Sequence, residues 1–222
     1  MKTTEDLRKA VMDEIKWDAQ LTDVYTQIQV TAKDGIITLL GLVEDYGKKM
    51  AAERAAQRVE GVKIVACDIE VDPHRKKTDA EIAEAVENAL HWNNAVTKEQ
   101  IKIIIDDGWI YLDGTVDYEY ERRFAQRSIE GLVGVKGITN NISLRPQQID
   151  TTEIRSKIAE AFHRIATIDS SSIKIELAGA RVTIHGKVRS CAEKKEAEQV
   201  ALSFPGITTV DNQIEIDVTV CA

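Results

Sequence analysis

The sequence has few aromatic residues, few cysteines and no excess of positive charge. Aromatic residues make up 5% of the 222 residues, so the hydrophobic cores must be mainly aliphatic. The three cysteines, Cys67, Cys191 and Cys221, are odd in number and lack metal-binding or redox spacing, which favours a reducing compartment. The net charge of −8 argues against broad binding to nucleic acid, because such binding depends on a basic surface.

Long apolar runs and catalytic motifs are also missing. No stretch reaches the roughly 18 apolar residues of a membrane span, and the charged amino terminus lacks the apolar core of a secretory signal. The chain contains no nucleophile elbow, no phosphate-binding P-loop and no HExxH zinc motif. We therefore expect a cytoplasmic protein without enzymatic activity, cofactor or metal site. An export signal removed before residue 1 would leave no trace in this sequence.

One pattern occurs three times along the chain. A strand-glycine-strand motif recurs as ITLLGLV, IYLDGTV and VTIHGKV, with central glycines Gly41, Gly114 and Gly186. A second glycine follows each of these after 20 residues, at Gly61, Gly134 and Gly206. A repeat of fixed period sets the architecture, and we place three units at residues 1–72, 78–145 and 150–217.

Each unit predicts the order helix, strand, strand, helix, strand. Apolar residues four apart mark the first helix, such as Leu7, Val11 and Ile15 in the first unit. Two alternating strands follow, and Asp34-Gly35 between them is a strong hairpin signal. The second unit repeats this signal at Asp107-Gly108. The third unit has Gly179-Ala180 instead, so we expect a different turn there.

The fold class is therefore predicted to be α+β, with three tandem αββαβ units. Each unit should form a small sheet of about three strands with two helices on one face. The predicted second helices lie around Ala51–Val59, Phe124–Leu132 and Glu196–Phe204. Units of this size bury only about 60% of their unfolded surface. We therefore expect the units to pack against one another or against other chains.

The glycine motif, the second helix AAERAAQRVEGV and the closing strands DIEV, NISL and QIEI resemble the BON domain. This domain is named for bacterial OsmY and nodulation proteins, and the resemblance covers all three units. It implies an OsmY-like, transport-associated protein of the stress response. It also implies binding of phospholipid or other ligands at membranes, without catalysis.

Basic residues recur early in the second helix of every unit. They are Lys49, Arg122 and Lys194, each beside a second cation, Lys48, Arg123 or Lys195. Cations in a first turn oppose the helix dipole, so their recurrence needs a reason. One hypothesis is an anion site at the helix N-terminus, formed beside the capping candidates Asp45, Asp117 and Ser190. The alternative is a solvated face with local pairs to Glu44, Glu121 or Glu193.

Three other features have simpler interpretations. His91 and His163 are equivalent to Lys16, and all three suit the C-terminal end of a helix dipole better than a metal site. Trp109, Tyr118 and Tyr120 fit either a membrane-interface belt or packing between units, and we favour packing. Cys191 stands at a helix start, where a thiolate is favoured, but it has no counterpart in the other units. We interpret it as incidental.

Together these features predict a non-enzymatic binding and scaffolding protein. The expected partner is an anionic lipid headgroup or a small anionic ligand, and weak contacts to three units would reinforce one another. Contact with a membrane would be peripheral at most. The alternative is a self-assembling homo-oligomer that binds or stores a small oxyanion at domain or subunit junctions.

Overall fold

The computed structural model of the chain describes residues 3–72, 77–91, 101–146, 151–164 and 173–217. Each unit opens with a helix; these are α1 (Thr4–Trp17), α3 (Asp79–His91) and α5 (Thr151–Arg164). Strand hairpins follow, formed by β1 (Ile28–Lys33) with β2 (Ile36–Val43), β4 (Ile101–Asp106) with β5 (Trp109–Val116), and β7 (Lys174–Ala178) with β8 (Arg181–Val188). The second helices are α2 (Tyr46–Arg58), α4 (Glu119–Glu130) and α6 (Cys191–Leu202). The last strands are β3 (Ile64–Val71), β6 (Gly137–Leu144) and β9 (Thr209–Ile216).

The predicted α+β fold of three αββαβ units is confirmed. Each sheet has three strands with the second strand at its centre. The second strand pairs antiparallel with the first and parallel with the third. The second helix provides the crossover that a parallel pair requires. These helices begin about one turn earlier than their apolar residues predicted, because polar and capping residues form the first turn.

The core of each unit lies between one face of its sheet and its two helices. In the first unit, Ile37 and Leu39 of β2 are fully buried against Val11 and Ile15 of α1. Helix α2 presents a row of buried alanines to the same core; they are Ala51, Ala52, Ala55 and Ala56. Small side chains let this helix approach the sheet closely. The aliphatic character of the core follows the scarcity of aromatic residues.

Residues with positive φ occur in the hairpin turns and at the central glycine of the repeated motif. Asp34 and Gly35 both have positive φ, 52° and 84°, as a two-residue hairpin turn of type I′ requires. In the hairpin turn of the third unit Gly179 has positive φ and Ala180 does not, so this turn differs as predicted. The central Gly41 has φ of 141°, and a Cβ there would lie 2.1 Å from the carbonyl oxygen of Gln27.

The units pack against one another, as their small size predicts. Arg54 of the first unit bonds Glu130 of the second at 3.1 Å. The backbone N–H of Gly61 donates to the carbonyl of Arg189 in the third unit at 3.0 Å. The cores of the second and third units form one continuous cluster, which also takes in Tyr46. The first and third units are therefore in direct contact, although a whole unit separates them in sequence.

Candidate functional site

The predicted anion sites lie at the first turns of α2, α4 and α6. Asp45 caps α2, accepting from the backbone N–H of Lys48 at 2.8 Å, and Ser190 caps α6 in the same way at 3.2 Å. The predicted cap Asp117 is wrong. Helix α4 begins after Tyr118, whose backbone N–H donates to the side chain of Glu121 at 2.9 Å. The carboxylate of Asp117 instead pairs with Arg145 at 3.0 Å.

Three of the six predicted cations are paired with carboxylates. Lys48 bonds Asp23 and also Glu44, the latter at 3.2 Å, and its side chain is largely buried. Arg122 forms a two-atom contact with Glu119, at 2.7 and 2.9 Å. Lys195 approaches Glu53 of the first unit to 3.7 Å. These pairs reduce the positive charge available to an external anion at these positions.

The other three cations form no ion pair with a carboxylate in the described parts of the chain, although the charge of Glu119 acts on Arg123. Lys194 donates to the backbone carbonyl of Ile214 at 2.7 Å, which leaves its charge uncompensated. Lys49 makes no ion pair with the described residues and lies near the thiol of Cys67. Arg123 is half-buried, and desolvation, together with the charge of Arg127, lowers the pKa of its guanidinium. The anion site therefore stays a prediction, now centred on these three side chains.

The starts of the second helices contact neighbouring units. In α2, a Cβ on Gly47 would lie 3.4 Å from the carbonyl oxygen of Glu130, at the end of α4. In α6, the thiol of Cys191 donates to the carbonyls of Val62 and Lys63, at 3.2 and 3.0 Å. Each of these helix starts meets backbone carbonyls just beyond another helix, and carbonyl oxygens suit its positive dipole end.

Glu119 occupies the equivalent place at the start of α4. It is 4% exposed, and one of its carboxylate oxygens is buried without a well-formed hydrogen bond. Burial raises the pKa of Glu119 above its usual value, although the hydrogen bond and charge of Arg122 act in the opposite direction. The negative charge of Glu198 of α6, in the third unit, also raises the pKa of Glu119. A carboxylate therefore stands where the other two units place Tyr46 and Cys191.

The aromatic residues singled out by the sequence lie at the surface. Trp109, Tyr118 and Tyr120 are all at least 39% exposed, so their packing between units stays a prediction. Trp109 lies over Gly137 of its own sheet, and the rings of Tyr118 and Tyr120 stack at 5.6 Å. Tyr46 packs between units, since it belongs to the core cluster that the second and third units form.

Several remaining predicted residues lie outside the described part of the chain. They are Cys221 and the side chains of His91 and His163. Burial raises the pKa of the Cys191 thiol. Within the described ranges, no group of three or more His, Cys, Asp or Glu side chains has metal-binding geometry. No helix in that part of the chain is long and apolar enough to cross a membrane.

The open faces of the three sheets differ in chemistry. On the first sheet, the outward residues of β2 and β3 include Ile36, Leu40, Leu42 and Ile64, each at least 37% exposed. The second sheet presents aromatic Trp109 and Tyr111 beside Ile104. The third presents polar and charged side chains, among them Arg181, Thr183, His185 and Lys187. These differences emerge only when strand register aligns the outward residues.

Sequence reasoning also missed a cleft between the first and second units. Arg54, Arg58 and Arg127 line it together with Trp17 and Glu130. Arg54 and Arg127 stand at equivalent positions of the repeat, so a signal was present in the sequence. The packing of α2 against α4 brings the two arginines together, and no spacing rule predicts that packing.

Comparison with known proteins gives one family and one curated relative. A family model for the BON domain matches residues 3–73, 78–146 and 150–217. Osmotically-inducible protein Y of Escherichia coli (strain K12) is 25% identical over 126 residues. That match spans 54% of this chain and 63% of the relative, which is less than two thirds of the relative's length.

Two solved structures also align along most of the chain. Both are of CdsD, a structural protein of the Type III secretion system of Chlamydia trachomatis, and one is its C-terminal domain. Their sequences are 12% and 13% identical to this chain. Each alignment covers 96% of this chain, and the alignments cover 98% and 92% of the two CdsD chains, respectively. The TM-score is 0.28 for both, and similarity at that level supports no conclusion about the function of this chain.

Proposed function

The chain belongs to the BON-domain family, and on that premise we propose that it is a non-enzymatic binding and scaffolding protein of the stress-response type. The name of its osmotically inducible relative supports the stress-response assignment. We further propose that its units bind anionic ligands, with phospholipid headgroups first among them. Three related units let weak contacts to one surface add through effective concentration.

The observation that carries the anion proposal is the basic position that recurs in the first turn of each second helix. At Lys49 and Lys194 no carboxylate of the described residues neutralises the charge. Both side chains are half-buried, so part of their surface remains accessible to a ligand. The net charge of −8 makes general adhesion to an anionic membrane unfavourable, so binding would depend on such local positions.

Co-sedimentation with vesicles tests this proposal. We expect the full chain to bind vesicles containing phosphatidylglycerol and not vesicles of phosphatidylcholine alone. The double variant Lys49→Gln/Lys194→Gln should weaken that binding. The control variant Lys33→Gln/Lys174→Gln removes the same amount of charge from exposed strand positions. It should leave vesicle binding unchanged. Absence of binding, or equal loss in both variants, would refute the lipid proposal. Native mass spectrometry of the purified protein would identify a co-purified small ligand.

The open face of the first sheet favours a second candidate, self-association. Its exposed centre is aliphatic, and its two edges carry opposite charge, with Lys33 on β1 and Asp68 and Glu70 on β3. A twofold axis along the strands would place each β1 edge over the β3 edge of a second copy. Contiguous exposed apolar surface of this kind commonly marks an interface.

Light scattering over a range of protein concentrations tests the second candidate. We expect the mass of a dimer, reduced to that of a monomer by Leu42→Asp. Lys187→Asp, at the equivalent face of the third sheet, is the matched control and should leave the mass unchanged. A monomer at every concentration would reject self-association.

A further inference from the structure

The cleft between the first two units brings three arginines together in a confined space. Its volume is about 700 Å³, and it lies where the end of α1 and helix α2 meet helix α4. Three guanidinium groups line it, from Arg54, Arg58 and Arg127. Among the described lining residues two carry carboxylates, Asp18 and Glu130, and a third carboxylate, that of Glu14, pairs with Arg58. A site of this size accommodates a small molecule with several polar groups.

Two of the arginines are held in place by those carboxylates. Arg54 donates to Glu130 at 3.1 Å, across the boundary between the units. Arg58 donates to Asp18 and to Glu14, each at 2.8 Å. Partial burial works against the charge of Asp18, but hydrogen bonds from Arg58 and the Gln20 backbone lower the pKa of its carboxyl group. Both bonded arginines are therefore fixed in orientation and keep donor groups free for a ligand.

Arg127 is different because it forms no ion pair with the described residues. Its side chain is exposed, and its positive charge lowers the pKa of neighbouring Arg123. It stands on α4, whereas Arg54 and Arg58 stand on α2. The third unit has Gln199 at the equivalent position. The cluster of three arginines therefore occurs at the boundary between the first and second units, where α2 meets α4.

We propose that this cleft binds a phosphate or diphosphate group, with Arg127 as its main contact and Arg54 and Arg58 as its preorganised frame. The planar fork of arginine matches phosphate oxygens in pairs, and such charge-assisted contacts are strong. Trp17, at 79% exposure, lines the cleft and would report ligand binding by its fluorescence. Because the walls belong to two units, the bound group would also strengthen their contact. The site is separate from the first-turn cations, so its failure would leave the proposed function standing.

Calorimetric titration of the full chain with pyrophosphate tests the proposal. We expect saturable binding with one site per chain. Arg127→Gln should weaken it by about tenfold or more, as expected for loss of one charge-assisted contact. Arg181→Gln removes an exposed arginine from the third unit and should leave the affinity unchanged. Failure of the wild type to bind pyrophosphate, or equal affinity in the wild type and Arg127→Gln, would overturn the proposal.

Two further measurements locate the ligand and its source. Pyrophosphate should change the tryptophan fluorescence of the wild type, and Trp17→Phe should abolish that change while binding heat remains. A fluorescence change that persists in Trp17→Phe would place the ligand elsewhere and overturn the proposal. Sedimentation with phosphatidic acid vesicles then distinguishes the sources. Binding that Arg127→Gln weakens indicates a lipid headgroup, and absence of vesicle binding beside pyrophosphate binding indicates a free phosphate compound; both support the site.

Discussion

Replacing Gly41 with alanine should destabilise the first unit more than most single changes in this chain. The glycine lies near the end of β2, opposite Ile28 at the start of β1. A Cβ added there would lie 2.1 Å from the carbonyl oxygen of Gln27, far inside the 3.0 Å that real contacts respect. The backbone φ of 141° is also one that residues with a side chain rarely adopt. The substitution therefore combines a steric clash with backbone strain.

The expected cost follows from these two terms. Strain at such a backbone conformation costs about 1–3 kcal/mol, and relieving the clash requires β1 to move away from β2. Movement of β1 would also disturb Ile28, which is 2% exposed and part of the core. We therefore expect the free energy of unfolding to fall by about 3 kcal/mol or more, which is exceptional for a single substitution. In a protein of this size the melting temperature should fall by about 6 °C or more.

Thermal and urea unfolding, followed by circular dichroism, measure this loss. Gly131→Ala is the matched control, because a Cβ there meets no atom within 4 Å and the φ of Gly131 is −90°. The control should change the free energy of unfolding by no more than about 0.5 kcal/mol. A loss below about 1 kcal/mol in Gly41→Ala would refute the close-approach reasoning.

Two further predictions concern the junctions between units. The pKa of Glu119 is raised, so the folded state holds its proton to a higher pH than the unfolded chain. The stability of the wild type should therefore fall as pH rises from the unfolded pKa near 4.5 through the folded one. Glu119→Gln should lack this loss of stability. Urea midpoints of both proteins at pH 4.5 and 7.5 measure the difference. The other ionisable groups around the site are Arg122, Arg123 and Glu198. Parallel pH profiles would contradict the assignment. Burial likewise raises the pKa of the Cys191 thiol. Iodoacetamide should therefore modify Cys191 more slowly than free cysteine at pH 8, as peptide mass spectrometry would show, and an equal rate would contradict its burial.

The fold could be predicted from the sequence because its determinants are local. Alternating apolar residues in β1 and β2 and apolar residues four apart in α1 fix which faces are buried. Asp34-Gly35 fixes the turn between the two strands. Each of these signals is local, and the repeat supplies the apolar patterns three times and the Asp-Gly turn twice. Only the helix starts were misplaced, because capping residues such as Asp45 lie outside the apolar pattern.

The candidate site could not be predicted to the same extent because its contacts are distant in sequence. Lys48 appeared available for an anion, but Asp23 approaches it from the loop before β1. Lys195 meets Glu53 from a different unit. The cap of α4 was misassigned to Asp117 because Glu121 performs the capping from within the helix. Side-chain pairing across units depends on how the units dock, and the repeated sequence pattern does not specify that docking.

The contacts at the starts of the second helices determine how many units this architecture can hold. Helix α2 abuts the second unit through Gly47, and α6 abuts the first through Cys191. The second unit, which contains α4, completes the cycle because its core is continuous with that of the third unit. Open solenoids can gain or lose repeats at either end, since each repeat contacts only its sequence neighbours. A closed cycle has no free end, so a fourth unit would have no place to dock and loss of one unit would expose two junctions at once.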